Sequence, residues 1–176
     1  MALLALARGA IERAVAGGDE AQPPASAGVL AEPLGVFVTL RNAGQIRGCI
    51  GTLGGRAPLH DAVRRMAVSA ATEDPRFEGL SAAEVGAIDI EISVLSPARA
   101  VAGPADVQVG RHGVIAERGS ARGVLLPQVA AERGWSSEQL LDHVCLKAGL
   151  DLGAWRRVPV DFRVFSAQVI TDAGQR

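Results

Sequence analysis

The sequence predicts an α+β fold, an antiparallel sheet packed with helices, and three observations carry that prediction. Residues 35–50 read as a hairpin, residues 88–95 alternate apolar with polar side chains, and several other segments repeat apolar residues at helical spacing. With 176 residues, no internal repeat and no linker, the chain reads as one unit over residues 1–176 that can divide into two lobes. A chain of this length buries about 70% of its unfolded surface, enough for a real core.

The elements run in order along the chain. Ala2 to Ala16 carries Leu3, Leu6, Ala7, Ala10 and Ile11 at helical spacing, and Gly17-Gly18 ends it. Asp19 to Gly28, with Pro23 and Pro24, is a surface connection. Gly35 to Arg41 is a strand, Asn42-Ala43-Gly44 a turn, and Gln45 to Ile50 the returning strand. Pro58 opens a helix whose apolar face is Leu59, Val63, Met66, Ala67 and Ala70, and which stops before Asp74-Pro75. Ser81 and Glu84 have capping-box spacing for a short helix. Ile88, Ile90, Ile92 and Val94 then mark a strand with one core face. Short strands punctuated by glycine fill residues 99–126, Pro127 opens a short helix ending at Gly134, and Ser136 with Gln139 caps a helix that Gly149 closes. The tail from Val160 to Ile170 reads as one final strand.

Composition excludes several classes of function. Hydrophobic residues make up 48% and charged residues 21%, which rules out a wholly disordered chain. Net charge is −1, so no general electrostatic grip on nucleic acid or on an anionic membrane is expected. No segment has the roughly 18 uninterrupted apolar residues of a membrane span, and Arg8 interrupts the apolar start, so the chain reads as cytoplasmic. Two distant cysteines, Cys49 and Cys145, supply neither a disulfide framework nor a metal site nor an iron–sulfur cluster, so no cofactor is expected. Of the 18 basic residues only Lys147 is lysine, which singles out a place for a small, deprotonatable amine as an alternative to chance.

The densest signal is Ile46-Arg-Gly-Cys-Ile-Gly-Thr-Leu-Gly-Gly55, a strand running into a glycine-rich loop before a helix. Such a loop can cradle an anion on backbone N–H groups, although its spacing matches neither dinucleotide nor P-loop fingerprints. Arg47 and Cys49 stand two apart, which in a strand places a guanidinium beside a thiol. A buried, inert cysteine is the competing reading. His112 lies in a turn, Glu91 on the polar strand face, and Asp74-Pro-Arg76-Phe77 forms a helix-stopping turn in which Phe77 anchors the loop in the core.

Val36-Phe-Val-Thr-Leu40, Ile46-Arg-Gly-Cys-Ile-Gly-Thr52, Asp74-Pro-Arg-Phe77, Ile90-Glu-Ile-Ser-Val-Leu95, His112-Gly113, Leu125-Leu-Pro-Gln-Val129, Gly134-Trp135 and Cys145-Leu-Lys-Ala-Gly-Leu150 together resemble the AMMECR domain family, known in prokaryotes as AmmeMemoRadiSam system protein A. The resemblance runs from about Gly35 to Val160 and departs from the family at Glu78-Gly79, where two prolines are usual. It implies helices on an antiparallel sheet with a smaller second lobe, and no settled reaction. It also implies Memo-type and radical S-adenosylmethionine proteins as partners. Its motif residues fall on Arg47, Gly48, Cys49, Gly51, Arg76, His112 and Lys147. With these motifs, the expected site is a small-anion cleft around Cys49. Arg47, Gly48, Gly51, Arg76, Glu91 and Gln128 bind the ligand, and Cys49, His112 and Lys147 are the candidates for chemistry. Two functions are then expected: a binding or adaptor component, or a small enzyme with Cys49 as nucleophile and His112 as acid or base.

Overall fold

A computed structural model describes residues 2–18, 27–54 and 57–173, in two compact units. The Asp19–Gly28 connection, apart from its last two residues, and Gly55 of the glycine-rich loop lie outside the described residues.

The first unit holds residues 1–95 and 168–176. Its helices are α1 (Ala2–Val15), α2 (Leu59–Thr72) and the short α3 (Ala82–Val85). Its sheet contains β1 (Val36–Asn42), β2 (Gln45–Thr52) and β3 (Ile88–Leu95), joined at the edge by β8 (Ala167–Thr171) in the order β2-β1-β3-β8. β1 pairs antiparallel with both β2 and β3. The alternation read in the sequence produces the core directly. Val36, Val38, Leu40, Ile88, Ile90 and Ile92 are fully buried and cluster with Ala7, Ile11, Val63 and Ala67 from α1 and α2. Each large aliphatic side chain buried this way stabilises the fold by about 1.5–3 kcal/mol.

Turn and bulge together shape the β1–β2 hairpin. Its two-residue turn puts Ala43 at φ 48° and Gly44 at φ 79°, the left-handed geometry that tight hairpins need and that alanine adopts only with strain. Between Leu40 and Arg41 the register shifts: Leu40 opposes Gly48 and Arg41 opposes Ile46, leaving Arg47 as the extra residue of a bulge.

The second unit, residues 96–167, contains β4 (Arg99–Val101), β5 (Gly113–Arg118), β6 (Ala121–Leu125) and β7 (Asp161–Phe165) in the order β4-β7-β5-β6. Helices α4 (Pro127–Glu132) and α5 (Ser137–Lys147) complete it, with Leu140, Leu141, Val144 and Cys145 of α5 buried against Val114, Ala116 and Val164. The capping boxes at Ser81 and Ser136 form as their spacing predicts.

The expected single strand over Val160–Ile170 is two strands, β7 and β8, in different sheets. The break falls at Ser166, whose carbonyl accepts from the Ser96 N–H at 2.9 Å and whose N–H donates to Ser96 Oγ at 3.0 Å. A polar partner 70 residues away ends the ladder, and no local pattern could announce it.

Candidate functional site

Cys49 stands on edge strand β2, opposite Thr39 of β1, and Thr39 in turn stands opposite Glu91 of β3. The three form one row across the sheet face that does not carry the aliphatic core. Cys49 and Glu91 are therefore brought onto one platform, but two strand spacings keep them about 10 Å apart. The direct partner of the half-buried Cys49 thiol is Thr39, whose hydroxyl donates to Sγ at 3.3 Å. Glu91 faces Arg41 at 3.8 Å.

The outer edge of β2 is held by side chains in place of another strand. Asp74 Oδ2 accepts the Cys49 N–H at 2.8 Å, and Arg76 Nη2 donates to the Cys49 carbonyl at 3.3 Å. Arg76 also grips Asp74 with two bonds, Nε to Oδ1 at 2.9 Å and Nη2 to Oδ2 at 2.7 Å. The pair thus supplies the acceptor and donor that a neighbouring strand would present, which also blunts an exposed edge. Asp74 is only 4% exposed. Its hydrogen bond to Arg76 is the main reason its carboxyl is held well below the usual carboxylate range, with help from the Cys49 and Arg76 N–H groups against a desolvation cost. The Arg76 side chain is itself 55% exposed, so part of this guanidinium meets solvent beside the Cys49 side chain.

The arginine beside Cys49 is Arg76 and not Arg47. Arg47 bonds Glu84 at 2.9 Å through Nε and donates to the Glu78 and Gly79 carbonyls, tying residues 78–84 to β2. Glu84 is correspondingly lowered to about 2, chiefly by Arg47 and then by the Ser81 N–H and hydroxyl. Phe77 is half-buried beneath the two guanidinium groups, 6.0 Å from Arg47 and 5.3 Å from Arg76, and does not join the core. The expectation of a core anchor fails because two cations compete for the ring.

Two glycines of the motif meet protein. A Cβ on Gly48 would lie 2.1 Å from the Ala70 carbonyl oxygen, and one on Gly51 would lie 2.3 Å from the Phe37 ring. Gly48 lets α2 approach the strand, and Gly51 makes room for the ring on the Cys49 face. The second unit repeats the device at Gly123, where a Cβ would meet the Ala148 nitrogen of the α5 C-cap at 2.5 Å.

His112, Gln128 and Lys147 belong to the second unit. His112 is 9% exposed, and its Nδ1 accepts the Gln108 N–H at 3.1 Å, so that nitrogen carries no proton. Burial, then Arg99 and Arg111, push its pKa below the ordinary 6.5. Lys147 is exposed in the last turn of α5, and Gln128 is half-buried in α4. Burial pushes the Cys145 thiol up, marking it as a packing residue. His143, half-buried on α5, stacks on Trp135 with ring centroids 3.8 Å apart. Trp155 donates to Asp142 at 2.7 Å.

Among the described residues no three His, Cys, Asp or Glu side chains gather into a metal site, and no helix is long and apolar enough to cross a membrane. Sequence reading misses Thr39 and Glu84 as partners of the motif. Glu84 is visible there only as a capping residue, and Thr39 only as a strand residue.

The fold and this clamp define a two-unit α+β protein with a glycine-packed edge strand that presents a cysteine. The chain belongs to the AMMECR1 family, whose model matches residues 4–170. It is 42% identical to a protein of Methanothermobacter thermautotrophicus over 98% of this chain and 93% of that one. A protein of Methanopyrus kandleri is also 42% identical, over 97% of this chain and 86% of its own. The crystal structure of an uncharacterized protein from Pyrococcus horikoshii superposes with a TM-score of 0.87 at 37% identity, covering 97% of this chain and 90% of that one.

Proposed function

We propose that the chain is a binding or adaptor component, serving Memo-type and radical S-adenosylmethionine proteins, with a small-anion cleft around Cys49. The observation that carries this reading is the state of the groups beside the thiol. Arg47 is committed to Glu84, Arg76 to Asp74, and the sulfur itself meets a hydroxyl. A nucleophile needs a base within hydrogen-bond reach, about 2.6–3.2 Å. Among the described residues of the first unit, the hydrogen-bond partner of the thiol is the Thr39 hydroxyl, not a base. What this unit offers is a rigid surface, with both peptide groups of Cys49 pinned and the Arg76 side chain 55% exposed beside them.

The second reading, an enzyme with Cys49 as nucleophile, draws on one observation. The Cys49 side chain lies close enough to Arg76 to favour the charged guanidinium, after the larger effect of Asp74. In that version His112 would serve as acid or base and Lys147 would steady an anion. The Gln108 N–H occupies the one unprotonated nitrogen of His112, which counts against a base.

Pull-down of the Memo-type and radical proteins with wild-type and Cys49→Ser chains tests the choice. Equal capture by both chains is expected. Capture of neither partner by the wild-type chain overturns the adaptor role.

A further inference from the structure

A cavity of about 170 Å³ lies entirely within the second unit and involves no residue of the Cys49 platform. Ser96, Arg99, Arg111, His112, Phe165 and Ser166 line it, and among the described residues no carboxylate does. The topology explains why these residues meet. β7 pairs with β4 on one side and β5 on the other. Val164 opposes both Arg99 and Val114, and Phe165 opposes Gly113, so the approach to β5 carries Arg111 and His112 to the end of β7 beside Arg99.

Two features mark this cavity. Arg99 has no bonded partner among the described residues, and Arg111 has only the neutral Gln108 side chain, at 3.2 Å. Elsewhere Arg8, Arg41, Arg47, Arg64, Arg76, Arg122, Arg156, Arg157 and Arg163 each face a carboxylate. The larger cavity of about 420 Å³ beside Gly149 is lined by Arg118 and Arg157 together with a carboxylate, Asp151, which bonds Arg157 at 3.2 Å. At the smaller cavity two cations face a buried imidazole, whose Nδ1 is committed to Gln108 and which burial and both arginines hold neutral. Leaving like charges together without a counter-charge costs free energy that a bound anion would recover.

We propose that this cavity is an oxyanion pocket, in which Arg99 and Arg111 hold the phosphate or carboxylate group of a small ligand against the His112 ring. Guanidinium groups match both oxyanions in geometry, and each charge-assisted bond is about twice as strong as a neutral one. Volume sets the size of what fits. With about 30 Å³ per water, 170 Å³ holds five or six waters, or one oxyanion with a few attached atoms. Whole metabolites generally take cavities of about 300–1,000 Å³, so the pocket receives a head group and leaves the remainder outside.

The experiment tracks the His112 ring resonances during titration with inorganic phosphate, acetate or chloride at constant ionic strength. It uses the wild-type chain, an Arg99→Gln/Arg111→Gln double variant and Cys49→Ser. In the wild-type chain His112 shifts saturably with phosphate or acetate and not with chloride, and whichever anion saturates at lower concentration identifies the ligand chemistry. The double variant weakens that binding at least tenfold, and Cys49→Ser leaves it unchanged. Absence of saturation with both oxyanions, or the same response to chloride, overturns the proposal from the wild-type arm alone. Undiminished binding in a folded double variant overturns it as well. Loss in Cys49→Ser would move the anion to the Cys49 platform and refute the assignment to the second unit.

Discussion

The surroundings of Cys49 and of His112 use arginine in opposite ways. Beside Cys49 both guanidinium groups have a carboxylate partner, Arg47 with Glu84 and Arg76 with Asp74, and their remaining bonds go largely to main-chain carbonyls. Beside His112 neither Arg99 nor Arg111 has an acidic partner among the described residues. The same residue type therefore builds architecture beside Cys49 and supplies uncompensated charge beside His112. A family motif rich in arginine and glycine marks a folded edge as readily as it marks a ligand.

The largest predicted effect tests the architectural half. Gly48→Ala drives a methyl group into the Ala70 carbonyl and should destabilise the first unit by about 3 kcal/mol, read as a lower thermal midpoint. Gly123→Ala should do the same in the second unit, because the Ala148 nitrogen and Val144 oxygen stand equally close. A midpoint unchanged by Gly48→Ala would mean that α2 yields and that the glycine serves some other purpose.

Asp74→Ala goes further and breaks the contrast between the units. It leaves the Cys49 N–H and Arg76 without their partner, at a cost of about 2–3 kcal/mol, measured by urea denaturation. It also frees Arg76, so phosphate should now perturb residues around Cys49 more strongly than in the wild-type chain. No gain in phosphate response there would show that pairing is not what neutralises this edge.

A smaller effect is expected in acid. Asp74 and Glu84 both have depressed folded-state values, so their stabilisation is complete above about pH 4.5 and drains away as pH falls toward 2. Glu84→Gln should lower stability at pH 7 by about 1 kcal/mol and flatten the acid limb of a stability–pH curve. An acid limb identical to that of the wild-type chain would count against the Arg47–Glu84 bond. The mildest change is Arg99→Gln. It removes one of the charges that depress His112, so the imidazole should titrate closer to its ordinary 6.5 in an NMR pH series, with little change in stability.

Much of the fold is legible in the sequence because it rests on local pattern. The isoleucine alternation at 88–92, the glycine-ended helices and both capping boxes read out as they form. The two-strand tail is not legible, since Ser166 is broken out of the ladder by Ser96. The site is legible in part. Cys49, Asp74 and Arg76 stand out as motif residues, but plain strand alternation puts Arg47 beside the thiol because it does not foresee a bulge. Arg99 and Arg111 carry no signal in the sequence, as only the pairing of β4 and β5 with β7 brings them to one cavity.

The central claim, that the Cys49 platform binds and does not react, is tested most directly by the affinity of wild-type and Cys49→Ser chains for purified Memo-type and radical S-adenosylmethionine proteins. Isothermal titration suits the comparison. A binding component predicts measurable affinity for at least one partner, changed less than threefold by the serine. No affinity for either protein, together with turnover of a small substrate that Cys49→Ser abolishes, would contradict it and make Cys49 a nucleophile.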